Sequence, residues 1–400
     1  MKKLGIAAAA AALCAAQAAQ AVETKIGDTI LAIGGYVKLD VLASRFSDGE
    51  VGQGTARDFY VPSSIPVSDG SGDSHSTLDF QAKETRLFIK TDTPIDGHKL
   101  GTVIEFDFIS GQINPTISNA ASGAGNENVT NAYNPALRRA YITFDNWLFG
   151  QDWTTFENLG AIPETLDFVA FPSDGTVFAR QPQVRYTQGG FAIALENPQT
   201  TVAGVGSTDD NILPDLTARY GFRLGRAELM VAGLLRQLKI DNAAVAGPPA
   251  VPARDDTAIG GGVSLSGKIP FGRDDVRFML TGGDGIGRYV ALGTGSDAVV
   301  DGSGTGLDTV PLVAGYVAYR HPWTERLRST VALSGIHIDN DEHLVAGTTT
   351  KSVYSAAVNL LYSPVKPLTV GVEFRHAQRK VENGDDGALD RLQFSAKYMF

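Results

Sequence analysis

Cysteine is almost missing from this 400-residue sequence, and its single instance, Cys14, sits in the first twenty positions. Past that leader no disulfide can staple the chain, so its stability must come from another source. Basic charge is in deficit as well: 34 Lys and Arg stand against 44 Asp and Glu, a formal net charge of -10. Nucleic acid demands a basic surface, and this composition excludes it as a partner. No stretch after the first thirty residues carries eighteen consecutive apolar positions, which excludes a transmembrane helix. Helical periodicity is nearly absent too. The glycines at Gly283-x-Gly285-x-Gly287 and Gly293-x-Gly295 are followed by no helix. They therefore mark strand bends and not a dinucleotide cradle. The cluster from His337 to His343 has no nucleophile or water-positioning partner at a suitable spacing, so no enzyme, catalytic residue, metal site or cofactor is expected.

What is present begins with Lys2 and Lys3, an apolar run from Leu4 to Ala16, and Ala19-Gln20-Ala21. A positive start, an apolar centre and a small-residue cleavage site are the parts of a secretory signal peptide. The expected organisation is a signal at 1–21 and one domain at 22–400, and Cys14 leaves with the signal. The mature chain thus reaches an oxidising compartment without using the disulfides available there.

Its dominant pattern has a period of two. Leu31, Ile33, Val37, Leu39 and Val41 alternate with Lys38 and Asp40; Leu392, Phe394, Ala396, Tyr398 and Phe400 alternate with Arg391, Gln393, Ser395 and Lys397. That period belongs to strands with two unlike faces. Sixteen such segments can be counted, near 29–45, 79–93, 100–110, 135–145, 147–153, 181–188, 190–198, 213–223, 226–239, 257–268, 275–287, 310–320, 326–338, 352–363, 367–380 and 389–400. Short turns such as TPIDGHK, FRLGR and SPVKP alternate with long polar connections. Apolar-out strands with short turns at one end and long loops at the other specify an all-β transmembrane antiparallel β-barrel. A soluble sandwich or propeller would also alternate, but it would repeat in blades or leave sheet edges that lipid cannot satisfy. The apolar face of the last strand then meets lipid.

If one face meets lipid, the other lines a lumen, and sixteen strands enclose an aqueous channel. Charges on the polar face become candidate pore residues: Lys38, Arg86, Lys90, Glu105, Asp107, Arg139, Arg185 and Arg219. The third long connection, residues 150–187, is unusually apolar for a loop in water, with Leu159, Ile162, Leu166, Phe168, Val169, Phe171, Val177 and Phe178. An apolar loop buries itself, and in a barrel the place is the lumen. Folded inward, it would present Glu164 and Asp167 opposite wall arginines, with Arg180 at its end. Pro163 and Glu164 suggest one helical turn over 163–166.

Several runs carry a family resemblance: Leu137-Arg138-Arg139-Ala140-Tyr141, Gly150-Gln151-Asp152-Trp153-Thr154-Thr155-Phe156, Glu164-Thr165-Leu166-Asp167-Phe168 and Arg180-Gln181-Pro182-Gln183-Val184-Arg185-Tyr186. With Gly283 to Tyr289 and the terminal Phe, they resemble Gram-negative trimeric porins, most closely the DcaP-like branch. The resemblance implies an outer-membrane homotrimer, an inward third loop and passive uptake of small hydrophilic solutes, small organic anions such as dicarboxylates among them. It also implies lipopolysaccharide and outer-membrane lipid around the barrel, and assembly machinery that reads Tyr398 and Phe400. The third loop lacks the Pro-Glu-Phe-Gly-Gly motif of general porins, and no heptad segment precedes the first strand. The reading from another class is an outer-membrane β-barrel enzyme or structural anchor. The residues alone leave the sign of charge selectivity open.

Overall fold

The computed structural model describes residues 21–52, 54–109, 133–167, 171–245 and 252–400. Residues 1–20, with Cys14 and nearly all of the expected signal, and the loop residues Phe168 and Val169 lie outside them. Sixteen strands form the wall. They are β1 (Thr29–Phe46), β2 (His75–Gln81 and Arg86–Ile95), β3 (His98–Asp107), β4 (Ala136–Phe144), β5 (Trp147–Trp153) and β6 (Arg180–Gln188). Then follow β7 (Phe191–Glu196), β8 (Asp215–Leu224), β9 (Ala227–Asn242), β10 (Arg254–Phe271) and β11 (Asp274–Asp284). The last are β12 (Pro311–Pro322), β13 (Leu327–Ile338), β14 (Thr350–Val365), β15 (Leu368–Val381) and β16 (Asp386–Met399).

Each strand pairs antiparallel with its neighbours in sequence, and β16 returns to β1 with Tyr36 opposite Met399 and Phe46 opposite Leu389. Closure satisfies every edge, which a sheet in lipid requires. A short arm, Val22–Ile26, folds back on β1 with Val22 opposite Ile33. The seven tight turns fall where the sequence places them. Two are built on Asp96-Gly97 and Asp145, whose positive φ values match the primed turns that suit twisted hairpins.

The alternation has its expected outcome. Leu392, Phe394 and Tyr398 stand exposed outside, while Arg391, Gln393 and Ser395 are buried inside. Aromatic residues ring the short-turn end: Trp147 lies 5.0 Å from Tyr186, Phe271 5.9 Å from Tyr319 and His321 4.5 Å from Trp323. Such rings sit well at a membrane interface.

Two expectations need correction. The second strand is not continuous over 79–93: the turn at Ala82–Thr85, closed by Thr85 N–H to the Ala82 carbonyl, interrupts it. The break turns Lys83 and Glu84 inward, where they pair with Asp58 and Lys38. The third loop also has no helical turn at 163–166; among its described residues the 3-10 turn is Leu159–Ala161, capped by Asn158. The wall draws the 163–166 backbone outward through its own hydrogen bonds, which compete with a local helix.

Candidate pore constriction

Connection 154–179 runs inside the barrel, as its apolar content demands. Phe156, Leu159, Ile162, Leu166, Phe171 and Val177 are buried, and Phe171 and Phe178 pack around Trp153. Its descent is held by a close backbone approach: a Cβ on Gly175 would lie 2.2 Å from the Gly315 carbonyl oxygen of β12. Only glycine fits there.

The tip hangs from the far wall by main-chain bonds. Tyr316 donates to the Ala161 carbonyl (3.0 Å), and Asn359 donates to the Glu164 carbonyl (2.8 Å). Lys38 donates to the Leu166 carbonyl (2.7 Å), and Glu373 accepts from the Leu166 N–H (2.8 Å). Arg277 reaches the Ile162 carbonyl. At its other end the loop receives Arg219, which donates to the Glu157 carbonyl (3.1 Å), while Glu196 accepts from Thr154 and Thr155.

Two further connections fold inward, which the sequence reading missed. Residues 47–74 pack Val51, Tyr60 and Ile65 against β15 and β16, and the Tyr60 N–H donates to Asp167 (2.9 Å). Residues 285–310 bring Tyr289 and Val290 against the third loop, with Phe178 N–H on the Tyr289 carbonyl (2.8 Å). Asp297 and Asp215 bind Arg236 and Arg288 there, fixing this connection to β8 and β9. The sequence signal for the second inward connection was available in its apolar Ile286, Tyr289 and Val290.

The candidate residues separate into groups. Arg86, Glu105, Asp107 and Arg139 meet on β2 to β4, joined by Arg138, which was not among the candidates. Asp152, also missed, binds Arg139 (2.7 Å) and Arg185 (2.8 Å). Lys38 lies buried under the tip with Glu84 and Asp40. Lys90 pairs with Asp92 (2.7 Å) in the open near the short-turn end. Asp167 accepts from the Tyr60 N–H of the first connection and lies near Arg375 and Arg391. Arg180 stacks over Trp153 at 5.1 Å. Among the described residues Arg180, Arg219 and Lys397 form no ion pair. Tyr398 faces outward, stacked at 6.5 Å on Phe400, whose backbone exchanges hydrogen bonds with Gly35.

Glu164 is the candidate best matched to its expected place. Arg328 grips it as a two-pronged fork, Nε to Oε2 (2.8 Å) and Nη2 to Oε1 (2.6 Å), and Arg320 adds Nε to Oε2 (3.2 Å). Burial acts to raise its carboxyl, but the Arg328 and Arg320 guanidinium groups overcome this and hold it below the ordinary range. Glu157 is the opposite case. It is fully buried, neither oxygen has a hydrogen-bond partner, and burial pushes its carboxyl well above the ordinary range. On the short-turn side of the tip, Lys268, Arg277, Arg320 and Arg328 keep part of their side chains exposed beside Asp275 and Glu164.

A barrel of sixteen strands with an inward loop and a charged lumen has the form of a diffusion channel. The family model of the DcaP outer membrane protein matches residues 53–400. The chain belongs to that family. The crystal structure of the outer membrane channel DcaP of Acinetobacter baumannii is 25% identical, with a TM-score of 0.74, covering 94% of this chain and 99% of that one. OmpT of Vibrio cholerae (11% identical, TM-score 0.55, 95% and 100% covered) shares the fold. So does an anion-selective porin from Comamonas acidovorans (11%, TM-score 0.52, 93% and 100%). Comparison with curated proteins gave no match. The chain is an outer membrane channel of the porin type, and its place is the Gram-negative outer membrane.

Proposed function

We propose that the channel conducts small hydrophilic solutes passively and favours small organic anions such as dicarboxylates, without catalysing a reaction. The observation that carries this is the lumen wall below the third-loop tip, where arginines and lysines outnumber the carboxylates that neutralise them. Arg185, Arg219, Lys268, Arg277, Arg320, Arg328 and Lys397 line it, against Asp152, Asp275 and Glu164. Arginine stays charged and offers a planar fork matched to carboxylates. Other lumen carboxylates are taken up by basic partners of their own, Glu84 by Lys38 and Glu105 and Asp107 by Arg138 and Arg86. The residues named from sequence, Lys38, Arg86, Lys90, Glu105, Asp107, Arg139, Glu164, Asp167, Arg180, Arg185 and Arg219, are proposed as lining or support of this zone.

The test is single-channel recording in unequal salt. Replacing Arg185 and Arg219 together by Ala should move the reversal potential toward cations and slow dicarboxylate-driven liposome swelling. Unchanged potential and swelling would reduce these arginines to scaffolding and remove the anion reading. The same reading includes a homotrimer, export through the signal at 1–21 and an assembly role for Tyr398 and Phe400. These rest on the resemblance to trimeric porins.

A further inference from the structure

The arginine fork at the loop tip is already filled by the protein's own carboxylate. Arg328 and Arg320 point at Glu164 with three hydrogen bonds, the geometry an incoming carboxylate would need. We propose that Glu164 is a tethered competitor, occupying the carboxylate site of the constriction and exchanging with permeating carboxylates. This rests on the anion reading given above and names its regulation.

Three features of the tip support exchange over permanent anchorage. First, the pair is open to water: the side chains of Glu164, Arg320 and Arg328 are 33%, 28% and 16% exposed. A pair that keeps contact with solvent is screened and weak, so a solute at modest concentration can compete with it. Second, the loop does not depend on this carboxylate for its position. Tyr316, Asn359, Arg277, Lys38 and Glu373 hold main-chain atoms from Ala161 to Leu166. The Glu164 side chain can therefore swing while its backbone stays. Third, the arginines keep other supports when Glu164 leaves. Arg320 also pairs with Asp275 (3.3 Å), and Arg328 donates from Nη1 to Ser363 (2.9 Å).

The exchange discriminates by shape. A carboxylate spans the two prongs of Arg328 as Glu164 does, whereas chloride is a single sphere and replaces only one contact. A dicarboxylate brings a second charge, which Arg277 or Lys268 on the adjacent strands can meet. Glu164 thus lowers the channel's occupancy by anions at rest and yields chiefly to carboxylates.

The probe is succinate added to chloride-conducting channels in a planar bilayer. Glu164→Gln keeps the side-chain size and the backbone carbonyl that Asn359 holds, and it removes the competing charge. In this variant the succinate concentration that halves the chloride current should fall by about two- to fivefold, the range a partly exposed ion pair can supply. Chloride conductance in the absence of succinate should rise. Arg328→Gln should raise the half-blocking concentration. If the first variant fails to assemble, Glu164→Asp, too short to span both prongs, should shift the block in the same direction by less. Anion selectivity with identical succinate block in wild type and Glu164→Gln would overturn the competitor and leave the anion reading standing. A cation-selective wild type would overturn both.

Discussion

At the scale of single residues, the alternation told which face each charge occupies, and the lumen placement of Lys38, Arg86, Glu105, Asp107 and Arg185 follows from it. Which charges meet was not legible. Glu164 finds Arg320 and Arg328 more than 150 positions away, a contact that no local spacing encodes. Arg277, Arg320 and Arg328 were passed over because each reads alone as an ordinary wall charge. Glu157 yields a prediction at this scale. Its carboxyl is raised above its unfolded value by burial, which the charge of Arg219 counters only in part, with the Tyr316 hydroxyl nearby. Below about pH 4 both states hold the proton and the folded state suffers no penalty. As pH rises past the ordinary carboxylate value, the unfolded chain releases its proton first, so stability falls until the folded value is reached. Between pH 4 and 8 the temperature at which the folded gel band is lost should therefore decline in wild type relative to Glu157→Gln. Parallel pH profiles would show that Glu157 ionises freely in the folded barrel.

At the scale of elements, strands and turns were readable because each is decided locally. Period two sets the faces, and Asp-Gly, Gly-Gly and Gly-Arg pairs set the hairpins. The third loop was readable as inward from its apolar content, yet its helical turn was not formed, because Arg277 takes the Ile162 carbonyl and Glu373 takes the Leu166 N–H, the two groups that would close it. The break in β2 was equally hidden, since it serves Asp58 and Lys38 on other elements. The seat of the third loop gives the second prediction. An alanine Cβ at position 175 would stand 2.2 Å from the Gly315 oxygen and 2.6 Å from its carbonyl carbon, both in main chain that cannot yield cheaply. The loop must lift toward the lumen. Overpacking of this kind costs about 1–3 kcal/mol. Gly175→Ala should melt earlier and show lower single-channel conductance; wild-type values for both would mean the seat is loose.

At the scale of the whole molecule, closure is what replaces the missing disulfides, and it depends on the seam where β1 meets both β2 and β16. Gly35 sits at that junction. Its N–H donates to the Phe400 carbonyl (3.0 Å), and its own carbonyl accepts from the Phe400 N–H (3.1 Å). On the other side Gly35 lies opposite Leu87, with φ at +154°, and a Cβ there would fall 2.0 Å from the Arg86 carbonyl oxygen. Any side chain must therefore push β1 away from β2 or from β16, and either movement opens an edge. In lipid an open edge leaves backbone groups without partners, each costing several kcal/mol. The damage is thus far larger than one strained residue would suggest. Gly35→Val should lose the compact band on unheated gels and leave most of the protein outside the membrane fraction. Gly233→Val is the matched control, since a Cβ at Gly233 meets nothing within 4 Å. It should assemble as wild type does. If Gly35→Val also assembles with normal yield and mobility, the seam tolerates separation, and closure is not the source of this channel's stability.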